Sequence, residues 1–89
     1  MRSYYFEERL RKKFVIFYKK DKKRYKILMK KIQEIINSKN IEHYKNLRAL
    51  LQNFKSIHID KHFVLIFKYN KNEDTVHFFD LDHHDKIFR

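Results

Sequence analysis

The 89-residue chain contains no cysteine, no glycine, no proline and no tryptophan. Without cysteine it can form no disulfide, thiolate metal site or cysteine nucleophile, a composition compatible with the cytoplasm. Without glycine it cannot build a phosphate-cradling loop of the Walker or dinucleotide-binding kind. Turns therefore fall to Asn and Asp, which tolerate positive φ better than other non-glycine residues. The candidates are Asn37 to Asn40, Asp60-Lys61 and Asn70 to Asp74. Long apolar runs are missing too. The opening "MRSYYFEERLRKK" is charged within its first turns, and "FVLIF" at 63–67 has only the length of a buried strand. Neither a signal peptide nor a membrane span is expected, and no membrane partner. The chain reads as one domain, 1–89, soluble and cytoplasmic, with room for a single core.

Charge of one sign is abundant. The formal net charge is +11, well beyond what solubility needs, and it favours a polyanionic partner. Between Arg9 and Lys31 stand twelve Lys/Arg and a single acid, Asp21. A Lys run of this kind can be a solvated helix face and nothing more. As a binding surface it suits nucleic acid first and an acidic protein second. An anionic membrane surface fits less well, because the basic helices carry only the apolar face that a small core needs.

Leu10, Phe14 and Phe17 recur at helical spacing, so 8–19 is expected to be a helix despite the strand-like look of "FVIFY". The preceding "SYYFE" reads as an edge strand. Asp21 is an N-cap for a second helix ending near Asn37, with Tyr25, Leu28, Ile32, Ile35 and Ile36 on one stripe and Lys22, Lys23, Lys26 and Lys30 on the other. "IEHYKNLRALLQN" is a connector with room for one helical turn. "FKSIHID" alternates Ile57 and Ile59 against Ser56, His58 and Asp60. "HFVLIFKY" is apolar on both faces, as a central strand would be, and "TVHFFDL" completes a hairpin after an Asn/Asp-rich turn. The expected class is α+β, in the order β-α-α-β-β-β.

The stretch "DLDHHD" at 80–85 holds two adjacent histidines among three carboxylates. His and Asp are metal-ligand types, but neighbours on a strand point to opposite faces, so Asp80, His83 and His84 converge poorly on one ion. His58 and His62 have the spacing of a helical zinc pair, yet they flank a strand turn and lack the glutamate of "HExxH". No cofactor or metal is expected.

"KKDKKRYKILMKKIQEII", then "LRALLQNFKSIHIDKHFVLIFKY", then a last strand running into "DHHDKIF" together resemble the RelE/ParE toxin superfamily over nearly the whole chain. The resemblance implies a small, twisted, mostly antiparallel sheet with two N-terminal helices on one face and RNA on the other. It also implies a cognate acidic antitoxin, and mRNA in the ribosomal A site as target. The histidine-rich YafQ-like ribonucleases look closest. Along "H-I-x-x-x-[WF]-x-L-I-[YF]-K" their catalytic histidine falls on His58, and the next aspartate and tryptophan fall on His62 and Phe63. Their C-terminal "H-x-x-x-[FY]" falls on His84 and Phe88, and an upstream histidine falls on Lys45, with His43 nearby. The RelE subtype differs: its C-terminal Arg and Tyr fall on Asp82 and Phe88, its central-strand Arg falls on Val64, and its "L-K-G" is "LRA" at 47–49.

RNA cleavage of this type needs a base for the ribose 2′-OH and an acid for the leaving 5′-oxygen, and two groups titrating near neutrality suit both tasks. His58 and His84 are the expected pair. Lys55, Lys61 and Lys45 are candidates to offset charge on the phosphate. Phe63 and Phe88 could stack on splayed bases, beside His62, and Lys22, Lys23 and Lys26 could track the backbone. Each residue also has an ordinary reading, as core, turn or solvated surface. The alternative function is a non-enzymatic binder, either a ParE-like inhibitor of DNA gyrase or a toxin fold without activity.

Overall fold

The stripe of Leu10, Phe14 and Phe17 forms the inner side of α1 (Glu8–Lys20). The computed structural model describes residues 2–47 and 53–87. Asp21 closes α1 and opens α2 (Lys22–Asn37). Its backbone N–H still bonds the Phe17 carbonyl, while its carboxylate accepts from the Arg24 amide at 3.1 Å. One aspartate thus satisfies orphan groups at two helix ends. Leu28, Ile32, Ile35 and Ile36 are buried, and Lys22, Lys23, Lys26 and Lys30 are exposed, as the stripe pattern requires.

The sheet has five strands in the order β1-β5-β4-β3-β2. They are β1 (Ser3–Phe6), β2 (Lys45–Asn46), β3 (Lys55–His58), β4 (Phe63–Asn70) and β5 (Thr75–His83). The edge strand β1 runs parallel to β5, and every other pairing is antiparallel. A single 3-10 turn at Ile41–His43 precedes β2, and one helical turn, α3 (His84–Ile87), follows β5. The β-α-α-β-β-β order is therefore as expected. Two short elements are added to it: β2, which is only two residues long, and α3.

β4 is buried on both sides. Leu65 and Phe67 enter the main core with Leu10, Leu28, Ile35, Val76, Phe78 and Leu81, under the helices. Val64 and Ile66 face the other way and pack with Leu47, Phe54, Phe79 and Ile87 in a smaller cluster. Paired residues on neighbouring strands share a face, so the register assigns the rest. Ile57 pairs with Leu65 and lies on the helix side; Ser56 pairs with Ile66, and His58 with Val64, on the open side.

One irregularity re-aims β5. Phe67 pairs with Phe78 but Ile66 pairs with Asp80, so Phe79 is an extra residue and the strand carries a β-bulge. The bulge resets alternation, which lets Val76, Phe78 and Leu81 all reach the main core although their spacing is first two and then three. Past Phe78, β1 stops pairing and α1 covers the edge. Lys13 donates to Asp80 Oδ1 at 2.8 Å and to the Leu81 carbonyl at 2.7 Å.

Arg2 fastens the other end. Its guanidinium donates to the carbonyls of Ile35, Ile36 and Ser38 at the end of α2, and to Asp74 Oδ1 at 3.0 Å in the β4–β5 turn. Asp74 is the only non-glycine residue at positive φ (50°) among the described residues, in the conformation that Asp tolerates best after Asn. It also accepts from the Tyr69 hydroxyl at 2.6 Å.

Candidate active site

The β3–β4 turn is built by Asp60. Its Oδ1 accepts from the His62 and Phe63 amides at 2.8 and 2.9 Å, an arrangement that short Asx side chains favour. Its Oδ2 accepts from Arg24 Nε at 2.7 Å, and Arg24 also lies 4.6 Å over the Phe63 ring. Phe17 meets that ring edge-on at 5.4 Å. The first turn of α2 is thereby clamped to the turn that carries His58 on one side and His62 on the other. Burial alone would raise the Asp60 pKa. The Arg24 guanidinium and the two amides outweigh it and hold the carboxyl below its ordinary range.

β5 ends beside this turn, where the His84 amide donates to the His62 carbonyl at 2.6 Å. His83 pairs with Phe63 and so faces the helix side, 5.8 Å from the Phe63 ring and 5.8 Å from His62. His84, one residue on, meets His58: the ring centroids are 5.3 Å apart and the planes 36° apart. Two adjacent histidines are thus divided between two faces. His84 is 43% exposed at its side chain, and His58 is exposed. Asp85 Oδ1 approaches His84 Nδ1 at 3.6 Å, too far for a hydrogen bond.

The remaining candidates separate clearly. Lys45 pairs with Ser56 and shares the open face with His58, and Lys61 is exposed on the Asp60 turn. Lys55 pairs with Phe67 on the helix side, is 6% exposed, and donates to Asn46 Oδ1 at 3.0 Å beside Glu42. It is not brought to the histidines. Lys22, Lys23 and Lys26 lie on the outer surface of the helix layer, on the far side of the sheet from His58, near the end clamped by Arg24. Phe63 is partly buried in the main core with its ring already in contact on several sides. Phe88 falls outside the described residues.

The central-strand position where RelE proteins carry arginine holds Val64, fully buried. Asp82 stands within 3.8 Å of both Lys13 and Lys86. Among the described residues, no group of three or more His, Cys, Asp or Glu could hold a metal ion. Arg24 was not singled out by sequence reasoning. Its only signal was a position three residues after an N-cap aspartate, which carries no information about a turn 36 residues away.

No protein-family model matches the chain. A relative from Methanocaldococcus jannaschii named "Putative toxin RelE4" is 52% identical over 71 residues, which span 80% of this chain and 73% of that protein. Solved structures with the same fold include the following three. A YafQ point mutant from E. coli has a TM-score of 0.78 at 15% identity, with full coverage of both chains. A metal-bound toxin from Helicobacter pylori has a TM-score of 0.78 at 22% identity, over 99% of this chain and 100% of that one. The YoeB–YefM complex from Staphylococcus aureus has a TM-score of 0.75 at 16% identity, over 94% and 98%. The chain belongs to the RelE/ParE superfamily of toxins.

The Asp60 clamp gives a pH-dependent test. A carboxyl held below its ordinary pKa contributes stability above about pH 4, and that contribution is lost as pH falls through the lower folded value. Asp60→Ala should therefore melt at a lower temperature than the native chain at neutral pH. Its stability should also fall less steeply on acidification from about pH 5 to about pH 2.5. Thermal melts across that range with identical acid limbs for the two proteins would remove Asp60 from this role.

Proposed function

We propose that this protein is the toxin of a toxin–antitoxin pair and cleaves mRNA, held in the ribosomal A site, as a metal-independent endoribonuclease. The observation that carries this reading is the His58–His84 pair, two imidazoles 5.3 Å apart on the open face of a sheet from this superfamily. A phosphodiester seated over the pair is within reach of both rings. One neutral imidazole takes the proton of the ribose 2′-OH; the 2′-oxygen attacks phosphorus in line as the bond to the 5′-oxygen breaks. The other ring, as imidazolium, hands its proton to that leaving oxygen. Lys61 and Lys45 offset the charge that builds on the phosphate. Lys55 instead holds β2 against β3.

The +11 charge and the family membership support a small acidic antitoxin as partner. In Staphylococcus aureus, YoeB and YefM form a toxin–antitoxin complex. Phe63 serves mainly to seat the Asp60 turn, and His62 stands beside His83 rather than in the histidine pair.

His84→Ala should reduce cleavage roughly 10²–10⁴-fold while folding and RNA affinity stay near native. His58→Ala should behave alike, and the double variant should be little worse, because the two rings act in one step. His83→Ala, on the other face, should matter much less. RNA-end mapping should find 5′-hydroxyl and 2′,3′-cyclic phosphate ends, with cleavage intact in EDTA. Loss in EDTA with recovery on adding a divalent ion would transfer the site to metal chemistry, and full activity in His84→Ala would sink the assignment.

The basic helix face contributes through long-range attraction. With about five phosphate contacts in all, the log–log salt slope on single-stranded RNA should be near −3.5, and reversing Lys22, Lys23 and Lys26 should flatten it. An unchanged slope would leave those lysines as a solvated helix face. The antitoxin reading predicts that expression from the native operon yields the chain bound to a small acidic protein. Isolation of the free chain from cells that tolerate it would count against it.

A further inference from the structure

The open face carries a second arrangement that the proposed reaction does not use. Four rings form a row across the sheet, away from the histidine pair. Phe54 and Phe79 are 4.8 Å apart, Phe79 and His77 5.9 Å, and His77 and Tyr5 4.3 Å with planes only 16° apart. Cations flank the row: Lys68 Nζ is 5.0 Å from the centre of Phe54, and the Arg9 guanidinium lies 4.8 Å over Phe79. Glu7 holds His77 in place through a 2.7 Å contact to Nε2. The row ends in a groove of about 540 Å³, lined by Tyr5 and His77 with Lys68, Lys71, Asn70 and Glu73 among others. Tyr5 is 51% exposed.

An exposed ring stacked on a fixed neighbour offers a flat π-face, and every nucleobase has one to match it. Lysines beside it can neutralise the phosphate of the same nucleotide, while the Asn70 amide and Glu73 carboxylate can hydrogen-bond a base edge. An acidic peptide would be drawn by the lysines, but it would gain nothing from the stacked rings and would be repelled by Glu73.

We propose that this groove is a second RNA subsite. It stacks one base of a single strand on Tyr5 and holds that nucleotide's phosphate with Lys68 and Lys71. The proposal rests on the ribonuclease reading, because it assigns the groove to a strand that also crosses the histidine pair. The register supports one continuous path. His58 pairs with Val64 and His77 with Lys68, so both histidines flank the open-side residues of β4. Four residues of strand separate Val64 from Lys68, about 13 Å, which is roughly the rise of four stacked nucleotides.

The test uses the whole protein and single-stranded RNA that is 2′-O-methylated throughout, so that binding is read without cleavage. Fluorescence anisotropy compares oligonucleotides of about three and about ten nucleotides, lengths that fall short of the two sites and span them. The native chain should bind the longer strand more tightly. Tyr5→Ala should lose roughly 5- to 100-fold of that gain, and Tyr5→Phe should keep it. Lys68→Ala with Lys71→Ala, two exposed positions, should flatten the salt slope for the long strand by about 1.4, and leave the short one unchanged. A Tyr5→Ala chain that melts like the native one and keeps the full gain with length would overturn the proposal. So would a Tyr5 dependence confined to binding of the acidic partner. If His84→Ala leaves cleavage intact while the Tyr5-dependent gain persists, the subsite stands and the catalytic assignment falls.

Discussion

Burial of β4 on both faces is the constraint from which the rest of the structure follows. Val64, Leu65, Ile66 and Phe67 are all at or below 3% exposed. A strand in that position cannot slip by one residue without exchanging two different apolar sets, Leu65 and Phe67 for Val64 and Ile66, between cores of different shape. The fixed register then decides which face each neighbouring side chain takes. His58 is on the open side because Val64 is, and Lys55 is under the helices because Phe67 is. The composition of the candidate active site is thus set by packing on the strand between the two that lead to its histidines.

Aspartate–arginine pairs organise the chain reversals of a sequence without glycine. Asp21, Asp60 and Asp74 each sit at a chain reversal, and each engages an arginine: Arg24 for the first two and Arg2 for the third. The aspartates accept backbone or side-chain donors that would otherwise be left unpaired, and the arginines draw separate elements together. These arginines are consequently not available to RNA, although Arg24 falls within the basic stretch. A count of Lys and Arg overstates the binding surface for this reason: Arg2, Arg24, Lys13 and Lys55 are already committed to carboxylates inside the fold.

Much of the architecture was legible because it rests on local patterns. The α2 stripe, the Asp21 cap, the two-faced β4 and the Asn/Asp turns all announce themselves within a few residues, and the structure has them where the sequence put them. What escaped depends on partners far along the chain. The parallel pairing of β1 with β5 joins residues more than 70 positions apart, and β2 is too short to show alternation. The bulge did leave a trace, since Val76, Phe78 and Leu81 break the two-residue period. That trace acquires meaning only once all three are known to share one core. In the site, separating His83 from His84 needed only strand alternation, whereas excluding Lys55 needed the register.

The bulge also bears on the proposed histidine chemistry, in a chain that lacks the arginines of the RelE subtype. With Phe79 inserted, the last turn of β5 is shifted so that Leu81 and His83 point under the helices, and His84 follows onto the open side. Without the extra residue the parity would reverse, His83 would take the open side, and His84 would turn away from His58. A buried valine at position 64 cannot neutralise a phosphate, and Asp82 would repel one. An arginine-based mechanism therefore has no foothold at either matched position. A chemistry based on proton transfer asks less of fixed cations and more of two imidazoles held at a set separation. The inserted residue, the Asp60 turn and the His84–His62 backbone bond supply that geometry together.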